Sequence, residues 1–148
     1  MRISAKSRYG IAALVSMARE AKSDEAITII SLSEKLKISK IYLEQVFSLL
    51  KRGGIVISIK GSQGGYRLAK QAKDITVFEI LSAIETSLFE KTEETVSDNN
   101  ENIEKAMREI VFDVLDKSLN DVLKHISLDD IANRADKYQE NDNFMYYL

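Results

Sequence analysis

The stretch from Ser39 to Leu68, SKIYLEQVFSLLKRGGIVISIKGSQGGYRL, limits the possible folds of this chain more than any other. Leu43, Val46, Phe47 and Leu50 recur at i, i+3, i+4 and i+7, which aligns four apolar side chains on one helical face. The spacing predicts a helix over residues 40–52 with that face buried, and its other side carries Ser39, Lys40, Tyr42, Gln45 and Lys51. Gly53 and Gly54 stop the helix. Ile55 to Ile59 then alternate as a strand, Lys60 to Gly65 form a glycine-rich tip, and Tyr66 to Leu68 return as a second strand. An amphipathic helix alone is ordinary core packing; followed by a glycine stop and a basic hairpin, it is a more specific pattern.

The residues upstream complete it. In SAKSRYGIAALVSMAREA, Tyr9, Ala12, Ala13, Leu14, Val15 and Met17 make an apolar stripe, which predicts a first helix over residues 5–21 capped by Ser4. Residues 22–26 read as a polar turn. Ser31 and, three residues on, Glu34 have the form of a capping box, so a second helix is expected over 32–37, and Ser39 is expected to cap the third. Two short helices joined by a tight turn make a helix-turn-helix, and the hairpin makes it a winged helix. The fold class expected is mainly α, a winged helix-turn-helix with a small β-hairpin. In that architecture the third helix enters the major groove of double-stranded DNA while the wing lies along the backbone or minor groove.

Charge is divided along the chain. Residues 1–70 hold 13 Lys and Arg against 5 Asp and Glu, a local charge of +8; residues 71–148 hold 8 against 18, a local charge of −10. A basic front half suits a polyanionic partner, although solvated faces can also segregate by sign. Lys6, Arg8, Lys40, Lys51, Arg52 and Lys60 are candidate phosphate contacts, joined by Arg2 at the amino end; ordinary solubility charge is the competing reading for each amino-terminal cation. At the wing, Gly61, Ser62, Gln63, Gly64 and Gly65 give a tip with little side chain between backbone amides and a phosphate. The run GSQGGY has neither the GK[ST] end of a phosphate-binding loop nor the spacing of a dinucleotide fingerprint.

Other classes are excluded by what the chain contains. It has no cysteine, so it holds no disulfide, thiolate nucleophile or thiolate-bound zinc or cluster. Its one histidine, His125, has no companions at ligand spacing; it is expected to cap a helix end, and neither a metal nor another cofactor is expected. No nucleophile–base or carboxylate pair emerges, so the chain does not read as an enzyme. The apolar run from Ile11 to Ala18 follows Arg2, Lys6 and Arg8 as in a signal peptide, yet it is short and broken by Ser16. A cytoplasmic protein without membrane contact is expected.

In the back half, Thr76 and Glu79 form a second capping box opening a helix over 77–86, which closes a winged-helix domain at residues 1–86. Residues 87–100 read as an acidic loop. A long helix follows over 101–125, with Phe112, Leu115, Leu119, Val122 and Ile126 at the 3-4 spacing of a helix-pair seam and Ile103, Met107, Ile110 and Val114 on another face. Two apolar faces need two partners: one face is expected on the chain's own domain and the other on a second subunit, with an intramolecular bundle as the alternative. Ser127 and Asp130 start a short last helix over 128–138, so that 101–138 form the dimerisation unit and 139–148 an aromatic tail.

The segments RISAKSRYG, YLEQVFSLLKRGGIV and SIKGSQGGYRL together resemble the Rrf2 family of winged-helix transcriptional regulators. The resemblance implies a homodimeric repressor on a partly palindromic operator, with Ser39, Tyr42, Glu44 and Gln45 in the groove and Lys60 to Gly65 as the wing. Glutamine pairs bidentately with adenine and a carboxylate accepts from cytosine. Where Lys60 stands the family often has arginine, so a planar fork is lost while the charge is kept. The iron-sulfur sensors of the family carry cysteines near residues 87–100; this chain has none and is more similar to the cysteine-metabolism repressor subgroup. That subgroup implies a further partner, cysteine synthase, held by a carboxy-terminal peptide that ends in isoleucine. Here the tail is Phe144, Met145, Tyr146, Tyr147 and Leu148, with leucine at the anchoring position. Packing of this tail on its own dimer is the other reading. A protein-interaction module, with the winged helix as scaffold, is the alternative function.

Overall fold

The computed structural model describes residues 2–20, 25–96 and 98–147. Helix α1 (Ala5–Glu20) starts as expected at Ser4, whose hydroxyl accepts the Ser7 amide at 3.1 Å. The expected turn at 22–26 lies largely outside the described residues. Helix α2 (Ile29–Leu36) begins three residues earlier than the expected 32–37. Its cap is Thr28, which accepts the Ser31 amide at 3.1 Å, and the Ser31–Glu34 capping box does not form. The cause is non-local. Ile27 is paired with Tyr66 through two backbone hydrogen bonds of 2.8 Å, so the chain leaves an extended segment at residue 28 and turns into helix there.

Helix α3 (Lys40–Arg52) has the predicted bounds and buries Leu43, Val46, Phe47 and Leu50 completely. Ser39 stands at its N-cap, but the hydroxyl makes no capping bond, contrary to expectation. Gly54, at φ +74, ends the helix in a conformation an L side chain resists. Strands β1 (Val56–Ile59) and β2 (Gly65–Leu68) pair antiparallel, with Ile57 opposite Arg67 and Ile59 opposite Gly65. Because Ile27 bridges to Tyr66, β2 is paired on both edges at that residue, and the wing is anchored to the segment that enters α2.

Helix α4 (Val77–Ile84) opens with the predicted capping box: Thr76 accepts the Glu79 amide at 3.2 Å, and Glu79 accepts the Thr76 amide at 2.8 Å. The expected long helix follows as α5 (Glu101–Met107), a π-helical segment (Arg108–Phe112) and α6 (Asp113–Lys124). Helix α7 (Leu128–Tyr146) starts with the Ser127–Asp130 capping box and corrects the expected length, running eight residues beyond 138. With neither proline nor glycine after residue 127, nothing interrupts it, and Arg19 of α1 ties its middle by pairing with Asp136 at 2.7 Å and with Gln139.

Leu14 and Met17 of α1, Leu32 of α2, Phe47 of α3 and Ile80 of α4 meet in one core. Leu128, at the start of α7, is fully buried in that same core. There the Leu128 amide donates to the Ile75 carbonyl at 2.8 Å and the Val77 amide to Ile126 at 2.9 Å. The acidic carboxy-terminal half is therefore stitched into the winged unit.

The expected seam on the long helix divides. Phe112, Leu119 and Ile126 are half-buried, whereas Leu115 and Val122 are 62% and 58% exposed and continue an outer stripe of Ile110, Val111 and Val114. A 3-4 spacing drifts slowly around a 3.6-residue helix, so these five positions straddle the border between the two faces. The inner face rests on α4, where Lys124 lies 4.7 Å from the Phe78 ring centroid.

Candidate nucleic-acid interface

Helix α3 presents its uncovered side because the other side is fully committed to the core. Its open residues recur every three or four positions: Lys40, Ile41, Glu44, Gln45, Ser48, Lys51 and Arg52 are all exposed. Lys6 of α1 joins Ile41, Glu44, Gln45, Ser48 and Leu49 around a shallow depression on this face. Lys40 and Glu44 form an i,i+4 pair at 3.7 Å, exposed and therefore weak, so either group is free to exchange its partner for a base or phosphate. Tyr42 sits at the flank. It is half-buried, its ring edge-on to Tyr9 at 5.2 Å, and it braces α3 against α1 more than it faces outward. Ile41 and Ser48 lie on this open face as well, where helical phase alone puts them, beyond the polar groups expected near the helix start.

Lys51 and Arg52 close α3, where the carboxyl end of the helix dipole also favours cations. Ser39, lacking a capping bond, leaves its hydroxyl exposed at the other end. Arg2, Lys6 and Arg8 are all exposed around the start of α1. That start is tied to the end of α4, where the Glu85 carboxylate accepts the Ser4 amide at 3.0 Å. Hydrogen bonds from Ser4, aided by Ser7, hold the Glu85 carboxyl below its ordinary value against the opposing effect of burial. For Glu79, burial pushes upward, and the bonds from Lys70 and Thr76 together overcome it and lower the value.

At the wing, Lys60, Gly61, Ser62 and Gln63 are exposed, while Gly64 and Gly65 are half-buried. The glycines divide by cause. A Cβ on Gly65 would stand 2.5 Å from the Ile27 carbonyl oxygen, and one on Gly64 the same distance from that of Ile59. These two are required by the protein's own backbone, a need separate from any phosphate approach at the tip. Gly61, at φ +107 with nothing near its Cβ position, faces open space.

In the back half, Glu104 is buried and Arg108 nearly so, paired at 3.2 Å. Glu104 also accepts the Thr95 amide at 3.0 Å, and Arg108 donates to the Thr92 carbonyl at 2.8 Å, which pins the acidic loop to the long helix. His125 is the C-cap of α6, as expected, its Nδ1 2.5 Å from the Asp121 carbonyl. Phe144, Met145, Tyr146 and Tyr147 are exposed at the end of α7, and Leu148 lies outside the described residues. Among the described residues no helix is long and apolar enough to cross a membrane, and no three His, Asp or Glu side chains converge as a metal site.

The profile of the Rrf2 family, described as an iron-dependent transcriptional regulator, matches residues 3–134. The HTH-type transcriptional regulator IscR of Pectobacterium atrosepticum is 30% identical over 136 residues, which span 92% of this chain and 82% of that protein. The IscR of Cereibacter sphaeroides is 42% identical over 89 residues, 60% of this chain and 57% of that one. Among solved structures, CymR (YrzC), the global cysteine regulator of B. subtilis, superposes with a TM-score of 0.73 at 28% identity, covering 90% of this chain and 98% of its own. T. potens IscR gives 0.72 at 29% identity, covering 94% and 91%. With the two short helices, the wing and the family profile all in agreement, the chain belongs to the Rrf2 family of winged helix-turn-helix, DNA-binding transcriptional regulators.

Proposed function

We propose that this protein is a homodimeric repressor that reads a partly palindromic operator and does so without an iron-sulfur cluster. The observation that carries this reading is α3, with one face buried to the last atom and the other open and lined by Lys40, Ile41, Glu44, Gln45 and Lys51. Two copies of that helix, set about 34 Å apart, reach successive major grooves on one side of the duplex. The outer stripe of the long helix supports pairing of two chains: Ile110 is 72% exposed and Leu115 62%, an apolar surface of the kind a second subunit covers. Arg2, Lys6, Arg8 and Lys60 then add phosphate contacts around the reading helix.

The iron in the family's description does not fit, as a thiolate-held cluster, the donors this chain offers. It has no thiolate, and the loop where the family resemblance puts cluster ligands is held instead by Glu104 and Arg108. Selection of bound duplexes from a random pool, followed by transcription in vitro from a promoter overlapping the selected site, tests the reading. Transcripts fall as protein is added if the protein represses; a rise contradicts repression.

A second reading rests on the exposed Phe144, Met145, Tyr146 and Tyr147: the tail holds a metabolic enzyme such as cysteine synthase. Purified cysteine synthase retained by the full chain and lost on deletion of residues 141–148 supports it, and equal retention by both forms contradicts it.

A further inference from the structure

Ile41 stands out on the surface of the winged-helix unit. It is 69% exposed, against 54% for Ile30 and 38% for Ile57, the next most exposed large aliphatic side chains among the described residues of that unit. It lies in the first turn of α3, where the branched Cβ adds nothing to helix stability. Its neighbours in the depression are Lys6, Glu44, Gln45, Ser48 and the half-buried Leu49, so four of the five are polar and Ile41 is left largely in water.

Resting on the reading of α3 as the groove helix, we infer that Ile41 determines sequence choice by packing on the C5-methyl group of thymine. In the major groove the thymine methyl is the one apolar feature a base pair presents, and aliphatic contact with it separates T·A from C·G. Gln45 follows one helical turn later, about 6 Å along the axis. Successive base pairs are about 3.4 Å apart, so Gln45 meets a base one or two steps from the thymine under Ile41. An amide that pairs bidentately with adenine beside an aliphatic group that favours thymine makes an A·T-reading pair, with Glu44 available to a neighbouring cytosine. The surface that Ile41 exposes to water in the free protein is covered in the complex, so its penalty is removed by one base and not by another.

The test replaces thymine by uracil, which removes the methyl group and keeps the pairing. The full-length protein is first used to select its preferred duplex from a random pool. Each thymine of that duplex is then replaced singly, and affinity is measured by fluorescence anisotropy for the wild type and for Ile41→Ala. We expect one thymine per half-site at which uracil lowers wild-type affinity about 4-fold, the value of one buried methyl-sized group. The Ile41→Ala protein binds more weakly overall and is indifferent to uracil at that thymine, while its penalties elsewhere are unchanged. Wild-type affinity insensitive to every replacement, or a full uracil penalty retained by Ile41→Ala, overturns the inference and leaves the DNA-binding reading standing. A pool that yields no preferred duplex overturns both.

Discussion

Gly65 is a wing residue that the fold itself requires to be glycine. A Cβ added there would face the backbone of Ile27, so alanine at this position meets a carbonyl oxygen at 2.5 Å in addition to adopting an unfavourable φ of +150. Gly61 has the unfavourable φ alone, with no atom within 4 Å of a Cβ. Gly65→Ala is therefore expected to lower the free energy of unfolding by about 3 kcal/mol and Gly61→Ala by about 1 kcal/mol. Urea denaturation of the two variants measures both, and equal losses would contradict a special backbone constraint at Gly65. Composition made the glycine-rich tip legible but not its cause, because the contact that requires Gly65 comes from a residue 38 positions earlier in the chain. Ile41 is hard to read in the sequence for a different reason: helical phase puts it on the open side, but an isoleucine in an amphipathic pattern looks like part of the core.

Among the elements, the join between α1 and α4 has a pH dependence of known sign. The Glu85 carboxyl is held below its ordinary value of 4.5 by the bonds from Ser4, so its contribution to stability is fully present above that value. It is lost as the pH falls through the lowered value, when the carboxylate takes up a proton. Glu85→Gln should cost about 1 kcal/mol near neutral pH and flatten the fall in stability on the acid side of 4.5. Thermal unfolding of both proteins across that range would show parallel curves if the contact carried no stability. The elements themselves were legible to different degrees. α3 and the α4 capping box follow from spacing over a few residues, and both stand where the sequence puts them. The start of α2 does not, since it depends on pairing between Ile27 and Tyr66. The length of α7 is not legible because a cluster of aromatics after a polar run looks like a tail, whereas nothing in those residues breaks a helix.

On the scale of the whole molecule, the carboxy-terminal half is anchored in the winged-helix core and leaves an apolar stripe open. Leu128 is buried in the winged-helix core, so a second chain bound along the long helix would be coupled to the reading helix through packed side chains. Leu115→Asp, at a position already 62% exposed, leaves the fold and its circular dichroism unchanged while shifting a dimer to monomer in sedimentation and weakening operator binding at least 10-fold. A variant that stays dimeric would move the interface elsewhere. The central claim, that the open face of α3 reads base sequence, is tested most directly by anisotropy titrations on the selected duplex and a scrambled one over a range of salt. For Gln45→Ala the account predicts that discrimination between the two duplexes drops about 10-fold with the salt slope unchanged. For Lys51→Ala it predicts equal weakening on both and a slope smaller by about 0.9. Undiminished discrimination by Gln45→Ala would contradict it.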